Sequence, residues 1–184
     1  VVGVFLAIGQ WDLKRLLAYH SISQIGYVVL GIALGTPLGI LGGLFHLLNH
    51  SLFKSLLFLN SGALEYATGT RDLKHMGGLM KNMPVTGTTS LIASMSIAGI
   101  PPFNGFWSKL IIILAAVQAG QFWYAFWAVV ASVLTLASFT KVMKYAFFGK
   151  LGKGLEGIKE VPIYMRISMS ILALLCLSGG ILLL

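Results

Sequence analysis

Hydrophobic residues in this chain run in long blocks separated by short polar connections. An opening apolar run, Val1 to Gly9, is followed by five longer ones. They extend from about Leu16 to Gly35, Leu38 to about Ala63, Pro84 to Gln118, Phe122 to about Phe148, and Pro162 to Leu184. A helix rises about 1.5 Å per residue, so about 20 residues cross the apolar layer of a bilayer. The opening run is too short for that and each later run is long enough. The pattern predicts an all-α integral membrane protein, a polytopic helix bundle. The chain opens inside an apolar run with no initiator Met, so it is expected to be the C-terminal portion of a longer protein.

The connections alternate in charge. Lys14 and Arg15 lie in one, Arg71, Lys74 and Lys81 in another, and Lys150, Lys153 and Lys159 in a third. The turn at Thr36-Pro37 and the stretch Gln118 to Gln121 carry none. Alternation holds only if Pro84 to Gln118 crosses once, despite its length. The positive-inside rule then puts the charged loops in the cytoplasm and the C-terminus outside. Within that long run stands Gly99-Ile100-Pro101-Pro102-Phe103-Asn104-Gly105. Two prolines lack N–H donors and clash with the preceding turn, so the helix must break there. Gly99, Pro101, Pro102 and Gly105 are the expected break residues. Irregular backbone at membrane depth is tolerated inside protein or against a water-filled cavity, and ion sites use it. A packing kink accounts for the break alone equally well.

Composition agrees with this picture and removes others. Of 184 residues, 57% are hydrophobic and only 10% charged, too few for the surface of a soluble domain of this size. The net charge of +8 comes from alternating loops, not from one groove-binding face, which argues against nucleic acid. The single Cys176 sits in an apolar run and cannot form an internal disulfide.

Ionisable residues inside the spans are the candidate chemistry, because each is costly in lipid. Lys109 follows the break by about two helical turns. An apolar run, Leu110 to Val117, separates it from the next loop, and its expected role is a protonatable relay. His46, His50 and Lys54 fall at i, i+4, i+8 on one side of the second span. Together they suggest a hydrated row able to pass protons. Metal ligation by the histidines is the lesser alternative, since no carboxylate or thiol accompanies them. The first span adds His20, Gln24 and Tyr27 on one face, with Ser21 and Ser23 beside them. Interhelical hydrogen bonding is the expected role of Ser21, Ser23 and Tyr27. Lys141, near Ser138 in the fourth span, either snorkels or faces the interior, whereas Lys144 is expected to snorkel. Glu65 is expected at the interface. Gly31, Gly35, Gly39 and Gly43 suggest close helix packing. No dinucleotide fingerprint, CxxC or nucleophile–base–acid set occurs, so no metal or cofactor site is expected in this chain.

Several stretches together carry a resemblance. They are Asp12-Leu-Lys-Arg-Leu-Leu-Ala-Tyr-His-Ser-Ile-Ser-Gln-Ile-Gly-Tyr27, His46-Leu-Leu-Asn-His-Ser-Leu-Phe-Lys-Ser-Leu-Leu-Phe-Leu59, Gly69-Thr-Arg-Asp72 with Met76-Gly-Gly-Leu79, and Gly99-Ile-Pro-Pro-Phe-Asn-Gly-Phe-Trp-Ser-Lys109. The chain resembles the antiporter-like membrane subunits shared by respiratory complex I, membrane-bound hydrogenases and multisubunit Na+/H+ antiporters. The resemblance implies two inverted five-helix repeats, each with a broken helix carrying a key lysine. Residues 1–148 would hold most of the second repeat, 149–161 a cytoplasmic loop and 162–184 a C-terminal transmembrane helix. Lys109 matches the broken-helix lysine. His46, His50 and Lys54 match the polar row beside it, with His20, Gln24 and Lys141 as secondary positions.

The expected function is proton translocation within a large complex, coupled to redox chemistry in partner subunits that hold the cofactors. Further antiporter-like subunits, peripheral redox subunits and the lipid bilayer are the implied partners, in the cytoplasmic membrane of a prokaryote or an equivalent energy-transducing membrane. The subunit itself is not the oxidoreductase. The rivals are a multisubunit Na+/H+ antiporter subunit and a non-conducting membrane scaffold. A quinone-binding enzyme would need an aromatic pocket, and Trp123, Tyr124 and Trp127 are more simply an interfacial belt.

Overall fold

A computed structural model of the chain describes residues 1–181. Its helices are α1 (Val2–Ile8), α2 (Leu13–Ala33), α3 (Pro37–Thr68), α4 (Pro84–Ala98), α5 (Asn104–Gln118), α6 (Phe122–Ala146) and α7 (Ile163–Ile181), with a single 3-10 turn at Leu73–His75. The last three residues of the expected C-terminal span lie outside the described residues.

The helix ends follow from local chemistry. Asp12 accepts a hydrogen bond from the Arg15 N–H at 2.9 Å, so α2 starts one turn earlier than hydropathy alone suggests. Thr36 caps α3 by accepting from the Gly39 N–H at 3.1 Å, and Pro37 opens the first turn. The helix then continues past Ala63 to Thr68, where Gly69 ends it with φ 70°. Pro84 opens α4 and Gly99, at φ 80°, closes it. The break therefore spans Gly99 to Phe103. Gly105 belongs to the first turn of α5, contrary to the expectation that it lies in the break. Its small size is needed there for close approach, because a Cβ would overlap the Ser96 carbonyl.

The bundle is apolar outside and buries a polar row within a largely apolar core. Val29, Leu48, Val133 and Leu174 are exposed, whereas His20, Gln24, His46 and Lys109 are buried. Helices α2, α6 and α7 are long and apolar enough to cross a membrane by themselves. The 32-residue α3 carries the polar row. Helices α2 and α3 pack through Gly31, Gly39 and Gly43: a Cβ on Gly31 would come within 2.9 Å of the Gly43 Cα. Gly35 is instead in the intervening turn, at φ 64°, and does not join that seam.

The three charged connections meet on one face. The Leu13 N–H donates to the Arg71 carbonyl and the Leu73 N–H to the Trp11 carbonyl, both at 3.0 Å. The Gly78 and Met80 N–H groups each donate at 3.1 Å, to the carbonyls of Phe148 and Phe147. Since α4 leaves this face and α6 returns to it, α4 and α5 together make one interrupted passage. Trp123, stacked at 5.8 Å on Phe126, is exposed near the opposite, uncharged connection.

Candidate functional site

The site is built around the break. Lys109 is the sixth residue of α5, but its side chain folds back rather than running on toward the uncharged face. Its Nζ donates to the Ile97 carbonyl at 2.7 Å and the Ala98 carbonyl at 3.4 Å. These are carbonyls of the last turn of α4, left without partners inside that helix and carrying the negative end of its dipole. Gly99 makes this possible: a Cβ there would stand 3.0 Å from the Lys109 Cδ. The Tyr27 ring lies 4.8 Å from the ammonium and adds a cation–π contact. Tyr27 is itself fixed by donation to the Ala128 carbonyl and by a 2.8 Å contact with the Ser132 hydroxyl, both on α6. Lys109 is 97% buried, yet no carboxylate is among the buried polar residues described.

His46 bridges three helices. Its Nδ1 is 2.8 Å from the Ser108 hydroxyl, one residue before Lys109, and its Nε2 is 3.2 Å from the Gln24 Oε1 on α2. Each ring nitrogen therefore has a partner, and a change of tautomer or protonation at one is felt at the other. Asn49 and Asn104 lock the start of α5 to α3: the Asn49 amide donates to the Asn104 carbonyl and the Asn104 amide to the Asn49 Oδ1, each at 3.1 Å.

The other expected positions extend this polar row unevenly. His20 Nε2 is 2.9 Å from the Ser138 hydroxyl, and the ring is within Coulombic reach of Lys54, Lys109 and Lys141. Lys54 is buried and donates to the Leu17 carbonyl of α2, with the Phe58 ring 5.3 Å away. His50 is only partly buried, lies edge-on to Phe53 at 5.5 Å, and its Nε2 has no protein partner. Lys141 reaches away from Lys109, toward the connection between α1 and α2. It donates to the carbonyls of Ile8 at 2.7 Å and Gln10 at 2.6 Å, closing the end of α1 beside Trp11. Lys144 is exposed. Of the expected interhelical bonds, that of Tyr27 forms. Ser21 instead donates to Leu17 of its own helix at 3.3 Å, and the buried Ser23 hydroxyl has no protein partner.

Sequence reasoning passed over Ser108, Ser132, Asn49 and Asn104. It also passed over a polar strip on α4 at Thr86, Ser90 and Ser94, whose four-residue spacing was a readable signal. Thr89 on that helix donates to the Asn60 Oδ1 at 2.9 Å. A cavity of about 210 Å³ opens beside Lys109 between the break, α5 and α6, with the Ser132 side chain in its wall. Its wall is mostly apolar, and it opens at the exposed Val129 and Val133. Among the described residues, no group of three or more His, Cys, Asp or Glu stands close enough to hold a metal ion.

Outside the spans, Glu65 meets Lys14 at 2.6 Å and Arg71 at 3.3 Å, the interfacial position expected of it. The hydrogen bond from Lys14 is the main cause holding its carboxyl below the usual range.

Comparison with known proteins gives this geometry a family. The family described as NADH:quinone oxidoreductase/Mrp antiporter, TM, matches residues 1–135. A subunit of the Na(+)/H(+) antiporter of Alkalihalophilus pseudofirmus is 45% identical over 148 residues, 80% of this chain and 30% of that protein. A chain of the membrane-bound sulfane sulfur reductase, an archaeal respiratory membrane complex, superposes with a TM-score of 0.93 at 38% identity, over 98% of this chain and 30% of its own. A chain of respiratory complex I from Thermus thermophilus gives 0.88 at 29% identity, over 97% of this chain and 38% of its own. The chain thus spans 30–38% of the length of these relatives. Hydropathy, a proline-broken helix and a buried polar row all fit, and the chain belongs to the NADH:quinone oxidoreductase/Mrp antiporter transmembrane family.

Proposed function

We propose that this chain forms a section of the proton path in an ion-translocating subunit of a multisubunit membrane complex. One observation carries the reading: the Lys109 ammonium is buried against the Ile97 and Ala98 carbonyls, and among the described residues no carboxylate is buried with it. A fixed anion would hold the charge permanently. Carbonyl oxygens instead allow both ammonium and neutral amine, two states one proton apart. His46, through Ser108 and Gln24, links that lysine to the row that continues to His50, Lys54 and His20. Lysine and histidine exchange protons, and an ammonium repels Na+, so H+ is the ion assigned to this section.

The membrane is the cytoplasmic membrane of a prokaryote or an equivalent energy-transducing one, with the three charged loops in the cytoplasm. Other membrane subunits complete the path, including further antiporter-like ones. The drive is either redox chemistry in peripheral partner subunits, which would hold the cofactors, or a cation gradient. The respiratory complexes among the relatives support the first and the 45% identity to an antiporter protein supports the second.

The test uses the intact complex in sealed vesicles, following pH-gradient formation with Lys109→Ala beside the parent. Lys109→Ala is expected to lower the rate by roughly 100-fold or more, the scale of removing a positioned proton-transfer group, while assembly persists. An unchanged rate would leave a non-conducting scaffold. Starting the parent with electron donor or with a Na+ pulse separates the two drives.

A further inference from the structure

Glu160 lies in the connection between α6 and α7, outside the residues matched by the family. Its carboxylate sits on the first turn of α4. Oε2 accepts from the N–H groups of Val85 at 2.8 Å and Thr86 at 3.2 Å, and Oε1 accepts from the Thr86 hydroxyl at 2.6 Å. Helix α4 supplies no side-chain cap of its own: Met83 precedes it and Pro84 opens it. The partnerless N–H groups at its start are thus satisfied from a distant part of the chain. At the other end of the same helix, the Ile97 and Ala98 carbonyls hold Lys109. One 15-residue helix therefore carries an anion on its positive end and a cation on its negative end.

The segment after Glu160 grips the far end as well. Helix α7 presents Gly180 to the break, where a Cβ would overlap the Pro102 carbonyl. The Trp107 Nε1–H on α5 donates to the Gly180 carbonyl at 2.8 Å. The half-helix is held at its start by Glu160 and at its break by α7.

We propose that Glu160 is a positioning residue of the Lys109 site, clamping α4 from the connection before α7 so that its last carbonyls stay on the lysine. The inference rests on the proton-path reading above and names a part of it that lies outside the polar row. The titratable groups facing Lys109 are His46 from α3 and Tyr27 and His20 from α2, while α6 brings Ser132, and α7 brings Cys176 against α4 at Ser96.

The experiment compares Glu160→Ala, Glu160→Gln and, as a control in the same connection, the exposed Glu156→Gln in the intact complex. Backbone hydrogen exchange is followed over residues 84–103, and the pH profile of gradient formation is recorded with Lys109→Ala in parallel. Glu160→Ala is expected to raise exchange at 97–103 as well as at 84–87. Glu160→Gln keeps the acceptor oxygen and removes the charge. Its exchange and its pH profile are expected to stay near those of the parent, whereas Glu160→Ala is expected to shift the profile. Glu156→Gln is expected to match the parent in both. Parental exchange at 97–103 in Glu160→Ala overturns the clamp, whatever translocation does. A profile unmoved in Glu160→Ala, where Lys109→Ala does abolish the gradient, overturns it too and reduces Glu160 to a helix cap. If Lys109→Ala leaves the gradient intact, the proton-path reading falls, and exchange at 97–103 still decides the clamp.

Discussion

Two sets of cations in this molecule are held in opposite ways. On the charged face, Lys14 and Arg71 share Glu65. In the bundle, Lys54, Lys109 and Lys141 each donate to main-chain carbonyls, and the described residues bring no carboxylate to them. All five acidic residues, Asp12, Glu65, Asp72, Glu156 and Glu160, lie at or beyond the ends of the spans. Carboxylate pairing fixes a charge and ties loops together. Carbonyl dipoles stabilise a cation without obliging it to remain one, which suits a group that gives its proton away. The proposed proton path draws on the carbonyl-bound set, and the carboxylate-paired set fastens the charged face.

Substitutions that cross this boundary sharpen the contrast. The largest effect is expected at Lys109, where Lys109→Ala removes the cation held at the break. Next come the histidines. His46→Leu breaks contacts to both Gln24 and Ser108 and is expected to slow gradient formation by roughly 10-fold or more. His50→Leu removes a ring whose Nε2 has no protein partner and is expected to cost less than His46→Leu in the same assay. Equal losses would mean that the row works without the three-helix bridge at His46.

The smallest effect belongs to the charged face. Glu65 has a lowered pKa in the folded protein, chiefly through Lys14. Its contribution is therefore fully present above the ordinary carboxylate range and is lost as pH falls through the lower folded value. Because the pair is exposed, Glu65→Gln is expected to change thermal stability only slightly at neutral pH, less still at high salt. Any difference from the parent should vanish in strong acid. A Glu65→Gln variant that stopped gradient formation at neutral pH would contradict the division between fastening and transferring cations.

Much of the fold was legible because hydropathy, charge alternation and proline report on local physics. Pro101 and Pro102 announce the break whatever surrounds them. The boundaries that shifted were set by caps: Asp12 extends α2 backward, and α3 runs on to Gly69. At the site, period-four spacing placed His46, His50 and Lys54 on one helix face. It could not show that Lys109 turns back on α4, because its acceptors are backbone carbonyls common to every residue. Lys141 illustrates the same limit. Its partners, the Ile8 and Gln10 carbonyls, lie more than a hundred residues away and are chosen by how α1 meets α6. Glu160 carries no such signal in the sequence, because its partners are the N–H groups of α4 and are reached only through the α6–α7 connection.

The most direct test replaces Lys109 by a cation that cannot be neutralised. Arginine stays protonated at any physiological pH and can still donate to the Ile97 and Ala98 carbonyls. In the intact complex in sealed vesicles, Lys109→Arg is expected to assemble like the parent and to form no pH gradient, because the charge can be held but not released. Gradient formation at the parental rate would show that Lys109 closes the end of α4 as a fixed cation, and that the proton takes another route.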